Sequence, residues 1–307
     1  MFSWNDYNTA APPTQNGSKP ASANKAGVTH QNVEPRLPAR GHSLLAVLQE
    51  AYNSEAMTAV LPHDPNALFP KRRADALTPA RISDIRRLTA MWHCVSDLSP
   101  AELEIKAEEV SFLTTLLFAG TGERGQRPRL DFYLVHLLTS SLFVPPLIGA
   151  LKEGRSRARL LGAFLSAMLS MLLARGFPRI DAGLLMSYTD VPLPPSQRSG
   201  KAGKQLPGVI GLAGAMDYVN PWPGLLQHGL PAHDAHTVKA LRALCIASQR
   251  YSTIAPGEMV GAFDEHGQET LEGTSTVDGT VFVRAAGVLL NVMGWVVDGE
   301  PEGNWLK

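Results

Sequence analysis

The sequence predicts a mainly α-helical protein, in which one multi-helix domain follows a disordered N-terminal tail. Apolar residues recur every three or four positions over most of the chain, and runs of alternating apolar and polar residues are scarce. Residues 1–42 differ, because they hold five prolines and too few large aliphatic side chains to offset the entropy of ordering. These observations divide the chain into a tail, residues 1–42, and a helical domain, residues 43–307.

The helices of the domain are marked by local start and stop signals. The clearest start is Ser99-Pro100, with an N-cap serine, a proline at the first helical position and Glu102 at the third. Gly120 and Gly176 are stop signals. Residues 191–224, rich in proline and glycine, predict a long excursion. The predicted helices cover residues 44–52, 82–92, 100–118, 130–143, 157–175, 182–188, 236–251 and 281–297, the last with strands as the alternative.

Composition excludes several classes of function. The chain has 28 Lys and Arg against 28 Asp and Glu, so it is not expected to bind nucleic acid or anionic membranes by bulk attraction. The longest apolar run, residues 160–174, is short for a membrane span and contains two serines. Two cysteines, Cys94 and Cys245, exclude a disulfide framework. We expect a cytoplasmic protein without nucleic-acid or membrane partners, and its oligomeric state is not predicted.

Two short motifs could indicate a binding site, but each also has a purely structural interpretation. Residues 120–125 fit GxGxxG, but a dinucleotide site needs a strand before that motif and a helix opening at its end. Here a helix precedes it and Pro128 follows, which favours a glycine-rich turn. His233 and His236, with Asp234 between them, are either half of a metal site or polar residues at a helix start.

His136 is the most informative candidate for a functional residue. On a helix, Phe132, Tyr133, Thr139 and Ser140 lie three or four residues away on the same face. The imidazole would then lie among two aromatic rings and two hydroxyls. Two interpretations stay open: a hydrogen-bonded core histidine, or a ligand or base that lines an aromatic substrate pocket.

Lys239 is a second candidate, one helical turn after His236. Its neighbours Ala240 and Ala243 are small and apolar, and burial among them would favour the neutral amine, the form available for chemistry. The alternative is an exposed helix lysine, which the nearby Arg242 favours.

Several blocks of the domain resemble the questin oxidase-like family. They are RPRLDFYLVHLLTSSLFVPP at residues 127–146, ARGFPRID at 174–181 with LMSYT at 185–189, HDAHTVKALRAL at 233–244, DGTVFVRAAG at 278–287, and a block at 66–75 that contains KRRAD. The blocks follow one another in the family's order, and the resemblance covers roughly residues 43–307.

The resemblance implies an oxidoreductase of secondary metabolism that acts on an aromatic polyketide of the anthraquinone type. The implied reaction is that of a Baeyer–Villiger-type monooxygenase or a ring-cleaving dioxygenase, with O₂ and NADPH as co-substrates and non-haem iron as cofactor. It implies His136, His236 and a carboxylated Lys239 as metal ligands. Lys239 and Tyr133 are the candidate catalytic residues, and the expected pocket for a small aromatic molecule is formed by Phe132, Tyr133, Thr139 and Ser140.

The chain departs from the family pattern towards its N-terminus. The family places further histidines there, in motifs similar to FHNH and HPLIHLG, and neither motif is present. His30 and His42 do not match them. We therefore expect a member that lacks most of the metal ligands, as a truncated product, a degenerate paralogue or one part of a split site. The competing hypothesis is a helical small-molecule-binding protein without catalysis.

Overall fold

The structure, a computed structural model, describes residues 36–58, 67–195 and 220–306. Those ranges hold twelve α-helices and no β-strand, which confirms the predicted mainly α fold. Their two isolated bridges pair Asp131 with Leu306 and Phe263 with Glu269. Most of the predicted tail and most of the predicted excursion lie outside the described residues.

The helices follow one another in this order: α1 Leu44–Asn53, α2 Glu55–Thr58, α3 Phe69–Ala76, α4 Pro79–Met91, α5 Pro100–Ala119, α6 Leu134–Ser141, α7 Val144–Ala150, α8 Gly154–Ala174, α9 Ala182–Met186, α10 Trp222–Gly229, α11 Ala235–Tyr251 and α12 Val281–Met293. Two short 3₁₀ turns, Thr274–Thr276 and Val296–Asp298, lie before and after α12. The helix predicted for the last segment is confirmed, although it ends at Met293, earlier than expected.

The central helix is α5, of whose 20 residues only a few near the N-terminus reach solvent. Its capping box is present as predicted: the Ser99 hydroxyl accepts from the Glu102 backbone N–H, and the Glu102 carboxylate accepts from the Ser99 N–H. Gly120 caps its C-terminus, and no strand precedes residues 120–125, which confirms a turn there. Helices α1, α6, α7, α9, α11 and α12 all pack on α5.

A buried ion pair ties α5 to its neighbours. Lys106 is 0% exposed and donates to the carbonyl oxygens of Arg40, at 3.0 Å, and Trp92, at 2.7 Å. Glu109 lies 3.7 Å from that ammonium and accepts from the Trp92 indole and the Leu44 backbone N–H. Burial lowers the pKa of Lys106 and raises that of Glu109. The pair therefore fixes the start of α1 and the end of α4 against α5.

The region around Pro145 and Pro146 differs from the prediction. The sequence predicted one helix over residues 130–143, whereas the structure has the shorter α6 there and places both prolines in the first turn of a separate helix, α7. Proline is tolerated there because the first backbone N–H groups of a helix have no partner inside it. Helix α6 is correspondingly short, and it begins at Leu134, after Phe132 and Tyr133.

One helix within the described ranges, α8, is long and apolar enough to cross a membrane by length and composition. It packs against α3, α4, α6 and α7, and its residues Leu161, Leu165, Leu169 and Leu172 are buried in the core. The core helix of a protein with no membrane span meets the same criterion, so α8 is weak evidence for a membrane segment.

Candidate functional site

His136 and His236 lie side by side near the N-terminal ends of α6 and α11. Their ring centroids are 5.1 Å apart, and the two ring planes are inclined by 58°. The ring of Phe132 makes T-shaped contacts with both imidazoles, with centroids 5.0 Å from that of His136 and 4.8 Å from that of His236. Both histidines are partly buried. The structure thus brings together two predicted metal ligands from distant parts of the chain, because α6 and α11 pack against each other and against α5.

Each imidazole is oriented through its Nδ1 atom. The Nδ1 of His136 lies 2.8 Å from the carbonyl oxygen of Phe132, and that of His236 lies 2.8 Å from the Asp234 carboxylate. Both partners are acceptors, so each Nδ1 atom donates a proton to its partner, and in the neutral imidazole Nε2 is then the nitrogen with a lone pair. Within the described ranges neither Nε2 atom has a hydrogen-bond partner. Metal-binding histidines are held in this way, with the second ring nitrogen bonded to a carbonyl or a carboxylate.

Asp234 combines helix capping with orientation of His236. Its Oδ1 atom accepts from the His236 backbone N–H at 2.9 Å as well as from the ring, and its Oδ2 atom accepts from the Trp305 indole N–H. Partial burial raises the pKa of Asp234, but these hydrogen bonds outweigh burial and hold it below its usual value. The sequence indicated a helix start with polar residues here. It gave no signal for Trp305, which is 71 positions away and belongs to no motif.

Tyr133 belongs to a different cluster. Its ring stacks on Phe69 at 4.0 Å, and the Arg175 guanidinium lies 4.9 Å from its centroid. Arg175 also pairs with Asp131 at 2.6 Å, and Asp131 caps α6 by accepting from the Tyr133 backbone N–H at 2.7 Å. The ring touches Phe132 edge-on, but no contact with either histidine occurs among the described residues. The catalytic role of Tyr133 stays a prediction.

The hydroxyls of Thr139 and Ser140 bond to the backbone of their own helix. Both donate to the carbonyl oxygen of His136, at 3.4 and 2.6 Å. Such bonds to the preceding turn are common for helical serine and threonine, and they direct these hydroxyls to the backbone rather than to the imidazole. Of the four expected pocket residues, Phe132 alone contacts the ring of His136 among the described contacts.

Of the two alternatives for Lys239, the structure shows the exposed one, and burial is wrong. Lys239 is exposed, whereas Thr237, Ala240 and Leu241 form the buried face of α11. Because an α-helix has 3.6 residues per turn, a helix that buries Thr237, Ala240 and Leu241 directs Lys239 away from the core. Lys239 therefore lies on the solvent-exposed face of α11 with Arg242. The reason to expect an uncharged amine is therefore absent, and the ligand role that the resemblance implies for Lys239 is not tested.

No other histidine within residues 36–58, 67–195 and 220–306 joins the pair. The side chain of His233 is 91% exposed, and its Nδ1 atom lies 3.2 Å from the Glu302 carboxylate. This placement agrees with a polar residue at a helix start. Across the described ranges, no group of three or more His, Cys, Asp or Glu is arranged to hold a metal ion. The described residues therefore bring together two imidazoles that could bind a metal ion, without a third ligand of the His, Cys, Asp or Glu type beside them.

Two surface cavities lie away from the histidine pair. One, of about 260 Å³, is lined by residues that include Ser111, Pro145 and Arg250. The other, of about 230 Å³, lies between α5 and α7. The hydroxyl of Ser111 is bonded to the carbonyl of Ala107, so it is not free for a ligand. We place the candidate site at the histidines, where two imidazoles with hydrogen-bonded Nδ1 atoms lie 5.1 Å apart.

Comparison with known proteins identifies the family. A family model described as Questin oxidase-like matches residues 6–244. The match includes His136, Asp234 and His236. It also includes residues 6–42, which the sequence analysis assigned to a tail, and it ends before the 278–287 block. No curated protein matches the chain. Because the matched range covers well over half of its length, the chain belongs to the questin oxidase-like family.

Proposed function

We propose that the chain is an oxidoreductase of the questin oxidase type that acts on an aromatic polyketide resembling an anthraquinone, with O₂ and NADPH as co-substrates. The observation that supports it most directly is the pair His136 and His236, each with its Nδ1 bonded to an acceptor. Family membership supports an oxidoreductase in general. The substrate class and the co-substrates come from the resemblance.

The residues of the pair fit non-haem iron in part. Imidazole nitrogen is a suitable ligand for Fe²⁺, and rings 5.1 Å apart are close enough to serve one ion. His136 and His236 would hold the iron through Nε2, while the Phe132 carbonyl and Asp234 keep the rings from turning. When bound, iron of this kind supplies the activation of O₂.

The chain's own residues would bind and orient the substrate beside the pair. Phe132 presents an aromatic ring in contact with both imidazoles, a surface that favours a flat aromatic molecule over water. Charge balance agrees with a substrate of low charge. We also propose a cytoplasmic location and no nucleic-acid or membrane partner, on the same balance of charge.

The deciding experiment compares iron content and turnover in wild type and in His136→Ala, with His233→Ala as the matched control. His233 is a histidine at the same helix start as His236, but it points to solvent. We expect stoichiometric iron and NADPH- or O₂-dependent conversion of an anthraquinone in wild type and in the control. His136→Ala should lose both. Wild-type protein that takes up no iron and turns over no anthraquinone would contradict the proposal.

A second candidate function is a helical small-molecule-binding protein without catalysis. It is favoured by the finding that the described residues bring only two imidazoles together. This alternative predicts that wild type and His136→Ala bind an anthraquinone equally, as measured by quenching of tryptophan fluorescence, and that neither consumes O₂. Loss of activity in a stable His136→Ala protein would reject it.

A further inference from the structure

The last described residues of the chain cross the start of α6 beside the histidine pair. The Leu306 backbone N–H donates to the carbonyl of Leu130 at 2.9 Å, and the Phe132 N–H donates to the carbonyl of Leu306 at 2.8 Å. These two bonds set Trp305 next to Phe132, with ring centroids 6.5 Å apart. The segment therefore contacts the element that carries His136.

The same segment also reaches the element that carries His236. The Trp305 indole donates to Oδ2 of Asp234, while Oδ1 accepts the two donors of His236. The side chains of His236 and Asp234 are 28% and 31% exposed, so water competes for these atoms. A carboxylate bonded through one oxygen can rotate or exchange its partner for water. Bonded through both oxygens, it presents Oδ1 to the imidazole in one orientation.

We propose that Trp305 is a positioning residue, which acts through Asp234 to hold the His236 imidazole with its proton on Nδ1 and its Nε2 free to bind. The role of Nε2 as a ligand rests on the proposed function, but the position of the proton is a property of the protein without metal. The proposed function and the proposed role of Trp305 can therefore be rejected independently of each other.

The test is long-range ¹H–¹⁵N NMR of histidine-labelled, chelator-treated full-length chain, with the His236 signals assigned by their absence in His236→Gln. Trp305→Phe keeps an aromatic ring beside Phe132 and removes the donor. Trp222→Phe is the matched control, because its indole also bonds a side chain of α11, the Ser248 hydroxyl, at 3.0 Å. We expect one Nδ1-protonated form in wild type and in the control, and a mixture of tautomers in Trp305→Phe. An unchanged His236 spectrum in Trp305→Phe overturns the proposal.

Asp234→Asn supplies a second variant that keeps the helix cap, since asparagine caps as well as aspartate does. It replaces Oδ2, the acceptor of the Trp305 indole, with an amide NH₂ donor, so the bond to Trp305 is lost and the same mixture of tautomers is expected. If Asp234→Asn changes the spectrum and Trp305→Phe does not, Asp234 acts without Trp305 and the proposal is rejected.

Co²⁺ titration of the same proteins gives a readout independent of activity. Loss of an outer partner of a ligating histidine typically weakens metal binding by about 10-fold to 100-fold, so we expect that loss for Asp234→Asn and a smaller loss for Trp305→Phe, which acts one hydrogen bond further out. A protein that binds no Co²⁺ in its wild-type form contradicts the proposed function. The tautomer measurement then still decides the role of Trp305.

Discussion

The imidazoles of His136 and His236 are 5.1 Å apart, and each is turned by an acceptor that belongs to its own helix start. For His136 the acceptor is the carbonyl of Phe132, one turn earlier in the chain, and for His236 it is the N-cap residue Asp234. Helix starts are suited to this use, because the cap fixes the backbone that the histidine follows. The orientation of each ring is therefore determined by residues close to it in the sequence, whereas the distance between the rings depends on how α6 and α11 pack against each other.

Lys106→Met is expected to destabilise the protein strongly. It would leave the Glu109 carboxylate buried without its cation and remove the donor that serves the carbonyls of Arg40 and Trp92. Breaking a buried pair in this way typically costs about 3–5 kcal/mol of unfolding free energy. Urea unfolding followed by circular dichroism measures the change.

Lys71→Met is the control for that prediction. Lys71 pairs with Asp75 at 2.6 Å on the surface of α3, with side chains that are 62% and 57% exposed. Exposed pairs four residues apart on a helix contribute about 0.3–0.5 kcal/mol, so this variant should unfold almost as wild type does. Equal losses in the two variants would contradict a special role for the buried pair.

Lys239→Gln should change neither stability nor Co²⁺ affinity. Lys239 is exposed on α11, and surface substitutions of this kind usually alter the unfolding free energy by less than about 0.5 kcal/mol. His236→Gln, one turn earlier, is the comparison in which Co²⁺ binding should fall. A loss of Co²⁺ binding in Lys239→Gln, measured at matched CO₂ concentration, would instead support the carboxylated-lysine role that the resemblance implies.

Features with a local cause could be predicted from the sequence. Ser99, Pro100 and Glu102 start α5 as predicted, because a capping box involves only neighbours. The start of α6 was missed, since residues 130–132 are held by hydrogen bonds to Leu306, which no local pattern reveals. For Lys239, the charge of Arg242, three residues later, favoured the exposed alternative, and small apolar neighbours were weaker evidence for burial.

In the candidate site, too, local features could be predicted from the sequence and long-range contacts could not. A spacing of four residues predicted that Phe132 and His136 lie on the same side of the chain, and their rings are in contact. The pairing with His236 depends on how two helices pack, and spacing does not determine that. Trp305 could not be found from the sequence, because a tryptophan among polar residues near the C-terminus has no periodic or motif signature.

Acid is expected to destabilise the protein partly through His228. This histidine is 6% exposed and packs edge-on against Trp295, and its Nδ1 atom has no hydrogen-bond partner among the described residues. Burial lowers its pKa. As the pH falls below the usual histidine pKa of about 6.5, His228 becomes protonated in the unfolded chain but stays neutral in the folded protein, whose pKa is lower. The unfolded state then binds more protons, so the unfolding free energy decreases as the pH falls. The slope that one such group contributes is at most about 1.4 kcal/mol per pH unit.

His228→Phe keeps an aromatic ring against Trp295 and removes the titrating group. Its unfolding free energy should depend less on pH than that of wild type between about pH 6.5 and pH 5. His266→Gln is the control, because the side chain of His266 is 77% exposed. The measurement is urea unfolding at several pH values, and parallel curves for wild type and His228→Phe would refute the prediction.

Gly303→Ala should detach the C-terminal segment from the site. A Cβ atom at residue 303 would lie 1.8 Å from the carbonyl oxygen of Val292, so the backbone must move and the bond between Trp305 and Asp234 is lost. Forced overpacking of this kind costs about 1–3 kcal/mol, measurable by urea unfolding and by the near-ultraviolet signal of tryptophan. Gly149→Ala is the matched control, since it lies in α7 with open space around it and should gain up to about 1 kcal/mol. If Gly303→Ala kept both stability and the tryptophan signal, the segment would have an alternative path over α6, and Trp305 could not be fixed by the contacts described for it.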